Sequence, residues 1–560
     1  MTVVASHTKG RIAAAFASES ASRLAPRVLV IASLVVTCFE QSRLIRRISR
    51  YANADQALLW LAARDWSRLD IREPTFYGQR YGVTFEAIPT ALLHSLGVAY
   101  NVALPTALVG LALSAWWWLA WCAKQSGRRV AAWLALLAPL ILYHQHWVVV
   151  GVHGTGFGRM LGALCAGVVL RGRNTRDSVA LAVALGGFAV TVDNAALLLV
   201  GPALLWAGLR WLTMPRLWPA LGLGLVGPLL WLAFRAWFDY AYPDHILHPS
   251  WSLAPERAAL ESNWLDPDRL FALHAPELYP HSAVPLLGLL AVLGLALAAR
   301  AWRELAAVCC LVAQLGFFVA LPKSLDDGGT LWYPAARMLL VFPMSLWFVL
   351  CITLHAARTR LRHPLRPELT SSYAARASVV ALLALAFVSS GVRARGFSRS
   401  MRSVVQAGRG PLFLELGRVD DLFALCRDAR HAARAAHTNV VAFPTEGTAD
   451  YACPALYPEL LTAYPSFERR RWVLYELAER AVGSMILWGA DEGICKRWYA
   501  RKHLKQCTSV ANGRALELGF EPQPPLRVLH RLGYPIRAFG AGCTPGAPET
   551  CAAWTKAYGP

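Results

Sequence analysis

Long apolar runs, broken by short basic or turn-rich loops, fill this chain from about residue 28 to residue 393. They lie near 28–41, 101–122, 130–150, 157–171, 178–192, 194–212, 217–237, 282–299, 304–321, 331–354 and 377–392. A helix needs roughly 20 apolar residues to cross the hydrocarbon core of a bilayer, and runs of that order mark spanning segments. The pattern therefore predicts a mainly α fold, a polytopic α-helical membrane protein of about eleven spans.

The loops say which side is which. "KQSGRR", "RGRNTRDS", "LRWLTMPR", "ARAWRE" and "HAARTRLRHPLRPE" all fall on one side if the N-terminus is inside. An excess of Lys and Arg marks cytoplasmic loops, so the expected orientation is N inside and C outside. Arg43, Arg46, Arg47 and Arg50 break the rule, because they follow the first run on the outer side. The basic residues before that run, with no small-residue cleavage site after it, read as a retained signal anchor.

From about residue 394 the pattern changes, dividing the chain into a membrane domain at 1–393 and an outer domain at 394–560. Segments such as "TNVVAFP" and "GSMILWG" read as short buried strands, and "SFERRRWVLYELAERA" as a helix. This is the pattern of a soluble, extracytoplasmic α/β domain. It holds six cysteines: Cys426, Cys453, Cys495, Cys507, Cys543 and Cys551. On an oxidising side an even number suggests up to three disulfides, with connectivity open. The other six cysteines lie in or beside the apolar runs, where they read as small buried hydrophobes.

Composition sharpens this picture at two points. Only 16% of the 560 residues are charged, against about 25% in soluble domains. The net charge of +21 would otherwise suggest nucleic acid. Its concentration in loops between apolar runs is what membrane orientation requires, so no nucleic-acid partner is expected. The high content of Ala, Arg and Trp suggests a bacterial cytoplasmic membrane.

Several short patterns carry no chemistry. "GLGLVG" at 222–227 lies inside an apolar run with no strand before it, so it reads as helix-packing glycine and not a dinucleotide loop. "GVHGTGFGR" at 151–159 opens a span, where close helix approach or a tight turn explains it. His144 and His146 point apart on a helix and have no Cys or carboxylate beside them, so no metal is expected. "DPD" at 266–268 is too short to read as a metal–nucleotide site. No cofactor is expected.

The loop at 41–100 is the densest in functional groups among the early spans. "NADQALLWLAARDW" places Leu58, Leu59, Leu61 and Ala62 at helical spacing, with Gln56, Arg64 and Asp65 on other faces. That predicts a helix lying along the membrane surface. Asp55, near its start, is either a helix cap or a partly dehydrated anionic carboxylate with chemistry to do. Downstream, "PTFYGQRYGVTFEA" brings Tyr77, Gln79, Tyr81 and Glu86 to the surface. An aromatic belt would account for the tyrosines but needs neither Gln79 nor Glu86.

An acidic residue shortly after the first span, a surface helix, and then "P-x-F-Y-G-Q-x-Y" leading into "E-A" resembles one known group. The segment over roughly 51–100 is similar to the GT-C class of integral-membrane glycosyltransferases, in the protein mannosyltransferase and aminoarabinose transferase group. "GLVGPLLWLAFRAWFDY" and "WYPAARMLLVFP" are more loosely similar to later segments of such enzymes. The resemblance implies a sugar donor carried on a polyprenyl phosphate and an envelope lipid, polysaccharide or protein as acceptor. It implies Asp55 as catalytic base, with Tyr77, Gln79, Tyr81 and Glu86 lining the acceptor or sugar site. Arg337, with Lys323 second, would hold the donor phosphate. The family often shows a second acidic residue beside the first or in the next outer loop. Here residue 56 is Gln, and the loop after the third span offers His144, His146 and His153 but no carboxylate, so either a histidine assists or Asp55 works alone, and His153 is placed with the substrate-binding residues.

The chemistry asks for little more than this. A phosphate leaves without protonation, whereas a glycosidase must protonate its leaving group and so needs two carboxylates. One base for the acceptor hydroxyl and cations for the phosphate are enough. The competing expectation is a non-catalytic membrane protein that binds or moves a lipid-linked saccharide. A transporter should carry ionisable groups within its spans, which here read as nearly free of charge.

Overall fold

The computed structural model describes residues 28–77, 82–142, 156–241, 254–271, 280, 282–322, 339–360, 417–444, 447–465, 468, 470–490, 492–499 and 504–534. The fold is mainly helical, with a small mixed sheet near the C-terminal end.

The apolar runs form helices. The first is α1 (Val28–Ile48). After the short strand β1 (Tyr51–Ala52) come α2 (Ala54–Arg68), α3 (Ala87–Ser95), α4 (Tyr100–Gln125), α5 (Arg129–Ile141), α6 (Gly156–Leu170) and α7 (Arg176–Val192). A 3-10 turn, Asn194–Ala196, leads into α8 (Leu197–Trp211), followed by α9 (Trp218–Ala241), α10 (Arg257–Leu265) and α11 (Asp268–Phe271). The helical part continues with α12 (Ala283–Ala298), α13 (Trp302–Val319) and α14 (Phe342–Arg360). Five of these segments are long and apolar enough to cross a membrane: α1, α4, Asn194–Trp211, Pro215–Ala241 and α13. Helices α5, α6 and α12 are shorter apolar helices. The run near 377–392 lies outside the described residues.

Helix α1 runs two turns beyond the expected end at 41, because no Gly or Pro stops it before Ser49. Arg43, Arg46 and Arg47 therefore ride on its last turns, and Arg43 pairs with Glu40 at 3.0 Å. The spans are also less free of charge than the sequence suggested. Glu40 in α1, Arg159 in α6 and Glu304 in α13 are buried, which the apolar average around each of them conceals. "GLGLVG" does pack helices: a Cβ on Gly224 would lie 2.6 Å from the carbonyl oxygen of Ala180, so α9 approaches α7 backbone to backbone. Of the cysteines outside the outer domain, Cys122, Cys165 and Cys351 are buried as expected, whereas Cys38 and Cys309 face outward.

The C-terminal domain, called the outer domain only for the side on which the sequence pattern expects it, starts, among the described residues, with β2 (Gly417–Arg418) and α15 (Val419–Ala435). It continues through β3 (Val440–Ala442), α16 (Gly447–Leu456), β4 (Leu461–Ala463), α17 (Arg471–Glu479), β5 (Val482–Trp488), α18 (Gly493–Tyr499), β6 (Gln506–Val510), β7 (Ala515–Gln523) and α19 (Pro525–Arg531). The sheet order is β4-β3-β5-β7-β6, with β3 parallel to both its neighbours and β7 antiparallel to both of its own. Alternation along the strands splits the core. Val441, Ile486 and Trp488 pack toward α15 and α16, while Val440, Met485 and Leu487 pack toward α17 and α19. Disulfides join Cys426 to Cys453 and Cys495 to Cys507, and Cys543 and Cys551 lie outside the described residues.

Helix α2 joins the two halves. Instead of lying along a surface, it is buried on every side from Gln56 to Ala63, with Leu58, Leu59, Trp60 and Leu61 no more than 2% exposed. A helix apolar all round belongs inside a structure, and "ALLWLAA" has no continuous polar face. Its cover is the outer domain. Ala57, Trp60 and Leu61 share one core with Cys426, Tyr451 and Cys453, and Trp60 meets Phe423 edge-on at 6.2 Å. Strand β1 pairs antiparallel with β2, so the outer domain begins beside the end of α1.

Candidate functional site

The start of α2 is set by Asn53. Its side chain accepts the Gln56 backbone N–H at 2.8 Å, and the Gln56 side chain accepts the Asn53 N–H at 3.3 Å. This is a complete capping box, satisfying two otherwise orphaned donors. Asp55 lies one residue inside, half-buried in the first turn. The cap is thus Asn53, and capping does not account for Asp55. As an acidic residue of the first turn it lies at the positive end of the α2 dipole.

Tyr77, expected to line the acceptor or sugar site, is buried. It is 2% exposed, and its phenol donates to Asp65 Oδ2 at 2.5 Å. Arg64 donates to Asp65 Oδ1 through Nε at 2.9 Å and to the carbonyl of Pro454 through Nη1 at 2.8 Å. The Tyr77 ring meets Trp472 of the outer domain edge-on, with centroids 5.0 Å apart. Burial, and then the Asp65 carboxylate, push the phenol well above its ordinary pKa, which keeps it a donor. Its work is to lock loop, helix and outer domain together.

Glu86 stands in a different setting. It is fully buried just before α3, and its Oε1 accepts the backbone N–H of Phe157 at 3.2 Å, at the start of α6. Oε2 has no hydrogen-bond partner among the described residues. Burial pushes the carboxyl up to about 7, with the nearby Asp193 adding to the shift and the Phe157 and Gly156 N–H groups opposing it. Arg159, one turn into α6, is buried within the electrostatic reach of both Glu86 and Asp193.

Asp193 reaches this cluster from the turn between α7 and α8, where its Oδ1 accepts the Ala195 N–H at 3.0 Å. The glycines of "GFGR" make room for it: a Cβ on Gly158 would collide with the Asp193 side chain. From α9, Arg235 donates to the Thr191 carbonyl at 3.0 Å. Aromatic rings close one side. Phe85 meets Phe157 at 5.4 Å, Trp231 at 5.5 Å and Trp66 at 6.1 Å.

Two carboxylates and an arginine therefore converge on the N-terminus of α6 from three separate segments. A carboxyl titrating near neutrality can take or release a proton during a reaction, and a helix N-terminus with an arginine attracts anions. Of the expected site residues, Glu86 belongs to this cluster and Asp55 sits on α2. Gln79, Tyr81, His153, Lys323 and Arg337 lie outside the described residues. Arg159 and Asp193 were missed. The signal for Arg159 was present, since an ionisable residue within an apolar span points to function by default.

Asp268 of "DPD" has a local task, accepting the Ser282 N–H at 2.9 Å ahead of α12. Among the described residues, no group of three or more His, Cys, Asp or Glu side chains gathers as a metal site. No protein-family model, curated protein or solved structure matches the chain.

Proposed function

We propose that this protein is a membrane glycosyltransferase that moves a sugar from a polyprenyl-phosphate carrier to an envelope lipid, polysaccharide or protein. In this reading eleven spans place the N-terminus inside and the outer domain outside, in a bacterial cytoplasmic membrane. Asp55 takes the proton of the acceptor hydroxyl as its oxygen attacks the anomeric carbon. The bond from that carbon to the phosphate oxygen breaks, and the lipid phosphate leaves with the electron pair. Inversion at the anomeric carbon follows from a single displacement. Lys323 and Arg337 are the proposed cations for the phosphate. Glu86, with Arg159 and Asp193, binds and orients polar groups of the sugar or acceptor.

The observation that carries this reading is the division of labour at the start of α2. Asn53 and Gln56 make the cap, and Asp55 is a half-buried carboxylate that the cap does not need. A second reading, a protein that binds or moves a lipid-linked saccharide without chemistry, draws support from the ionisable groups buried in the helices, Glu40, Arg159 and Glu304. Gene deletion complemented with wild type or Asp55→Asn separates the two, with envelope glycans and glycolipids compared by mass spectrometry and membrane levels matched by blotting. If wild type restores a missing sugar and Asp55→Asn does not, the transferase reading stands. If Asp55→Asn restores it fully, the binding or transport reading replaces it.

A further inference from the structure

At the end of the helical bundle opposite the outer domain lies an open cavity of about 290 Å³, lined by the ends of α6, α8 and α14 and the starts of α5, α7 and α13. Arg128, Arg173, Arg210, Arg303 and Arg360 line it, against a single carboxylate, Glu304. Five guanidinium groups facing one small cavity repel each other, more strongly where the surroundings exclude water. Glu304, one negative charge against five positive ones, offsets only part of this, and its Oε1 accepts the Trp206 indole N–H at 2.8 Å.

The two inner arginines are built into the wall. Arg303 lies over the Trp206 ring at 4.9 Å and Arg128 over the same ring at 5.8 Å. Each is anchored to a carbonyl, Arg303 to Trp206 at 2.8 Å and Arg128 to Leu170 at 3.1 Å. Each also keeps a buried Nε–H with no hydrogen-bond partner among the described residues. An unmet donor on a fixed cation is costly, and the planar fork of arginine matches phosphate oxygens. Loop arginines that only orient a membrane protein have no need of such placement. Arg129 and Arg216, exposed at the same end, meet that need without lining the cavity.

We propose that this cavity binds a phosphate group, with Arg128 and Arg303 as its inner donors and Arg173, Arg210 and Arg360 at its rim. The phosphate comes either from an anionic phospholipid headgroup or from a soluble phosphate. A basic pocket between helix ends on the cytoplasmic side suits the former. The site lies apart from Asp55 and Glu86, and its test reads binding and not turnover.

The experiment follows the thermal unfolding midpoint of the full-length protein in nonionic detergent. The probes are dioleoyl phosphatidylglycerol, dioleoyl phosphatidylcholine and inorganic phosphate. A ligand of the folded state raises the midpoint in proportion to its saturation. A rise with phosphatidylglycerol alone supports the site and identifies a lipid source, and a rise with inorganic phosphate supports it and identifies a soluble one. The double variant Arg128→Gln with Arg303→Gln should weaken apparent binding about tenfold or more, the scale of one lost charge-assisted hydrogen bond. If that variant does not fold, Arg210→Gln with Arg360→Gln at the rim should also weaken it. The control pair Arg129→Gln with Arg216→Gln should leave binding intact. No rise with either anionic probe overturns the proposal. So does an equal rise with phosphatidylcholine, a rise that survives the cavity variants, or an equal loss in the control pair.

Discussion

The phenol of Tyr77 and the carboxylate of Asp65 meet at 2.5 Å in a place that water does not reach. Asp65 is also held by Arg64, which donates onward to the Pro454 carbonyl, so one chain of contacts runs from the loop after α2 through α2 into the C-terminal domain. Removing the phenol leaves a buried carboxylate oxygen without its donor. Tyr77→Phe should therefore cost about 1.5–3 kcal/mol, the range for a hydrogen bond to a charged group. Thermal unfolding in detergent should show the loss. An unchanged midpoint would mean that the Tyr77–Asp65 bond contributes nothing to joining the two parts.

The capping box makes a contrast within one helix turn. Asn53→Ala removes the cap of α2 and should cost about 1 kcal/mol, a typical figure for a lost N-cap. Asp55→Asn keeps the cap and the side-chain volume and removes a charge whose contact with the helix dipole contributes about 0.3–1 kcal/mol. Paired denaturation curves should rank Asn53→Ala as the more destabilising change. The reverse order would return Asp55 to a structural role.

Much of the helical framework was legible because an apolar run declares itself locally. The strands of "TNVVAFP" and "GSMILWG" appear as β3 and β5 for the same reason. The setting of α2 was not legible. Arg64 and its partner Pro454 stand 390 residues apart, and nothing near "ALLWLAA" announces the domain that covers it. The carboxylate cluster was hidden in the same way, because Glu86, Arg159 and Asp193 come from three segments and meet only through helix packing. A buried charge such as Glu40 or Glu304 is invisible to an average over its apolar neighbours.

Within the outer domain, Arg470 is 2% exposed and holds two buried carboxylates. It donates to Asp450 Oδ2 at 2.7 Å and to Glu468 Oε1 at 2.7 Å, with its guanidinium 5.1 Å from the Tyr451 ring. Burial works against both acids. It keeps Asp450 well above the ordinary carboxylate range, whereas Arg470 and its hydrogen bonds more than offset it at Glu468. Arg470→Met would leave two acids facing each other without a cation. The expected cost is about 3–5 kcal/mol, as for other buried pairs broken on one side. Limited proteolysis of the membrane-embedded protein should cut first within the outer domain of this variant. A wild-type cleavage pattern would show that the network carries little stability.

The Cys426–Cys453 disulfide ties α15 to α16 directly over α2, closing a loop of 27 residues. The chain-entropy relation gives about 3.5 kcal/mol for a loop of that size. Replacing both cysteines by alanine should lower the unfolding midpoint of the outer domain and loosen the cover over α2. Hydrogen exchange at Leu58–Ala62 should rise with it. Unchanged protection there would show that packing alone holds the cover in place.

Glu86 gives the last prediction a definite sign. Its carboxyl sits at about 7 in the folded protein, raised mainly by burial from an ordinary value of 4.5. Between those limits the folded state binds a proton that the unfolded chain has lost, so stability falls as pH rises. The contribution of the protonated carboxyl is full below 4.5 and is lost as pH rises through about 7, a difference of roughly 3 kcal/mol. Glu86→Gln keeps the shape and removes the proton. Unfolding midpoints of wild type and variant, measured from about pH 5 to about pH 8, should therefore diverge, with the variant losing less toward high pH. Parallel curves would mean that Glu86 stays in one protonation state across the range, and that the α6 N-terminus and Arg159 hold it as a fixed anion.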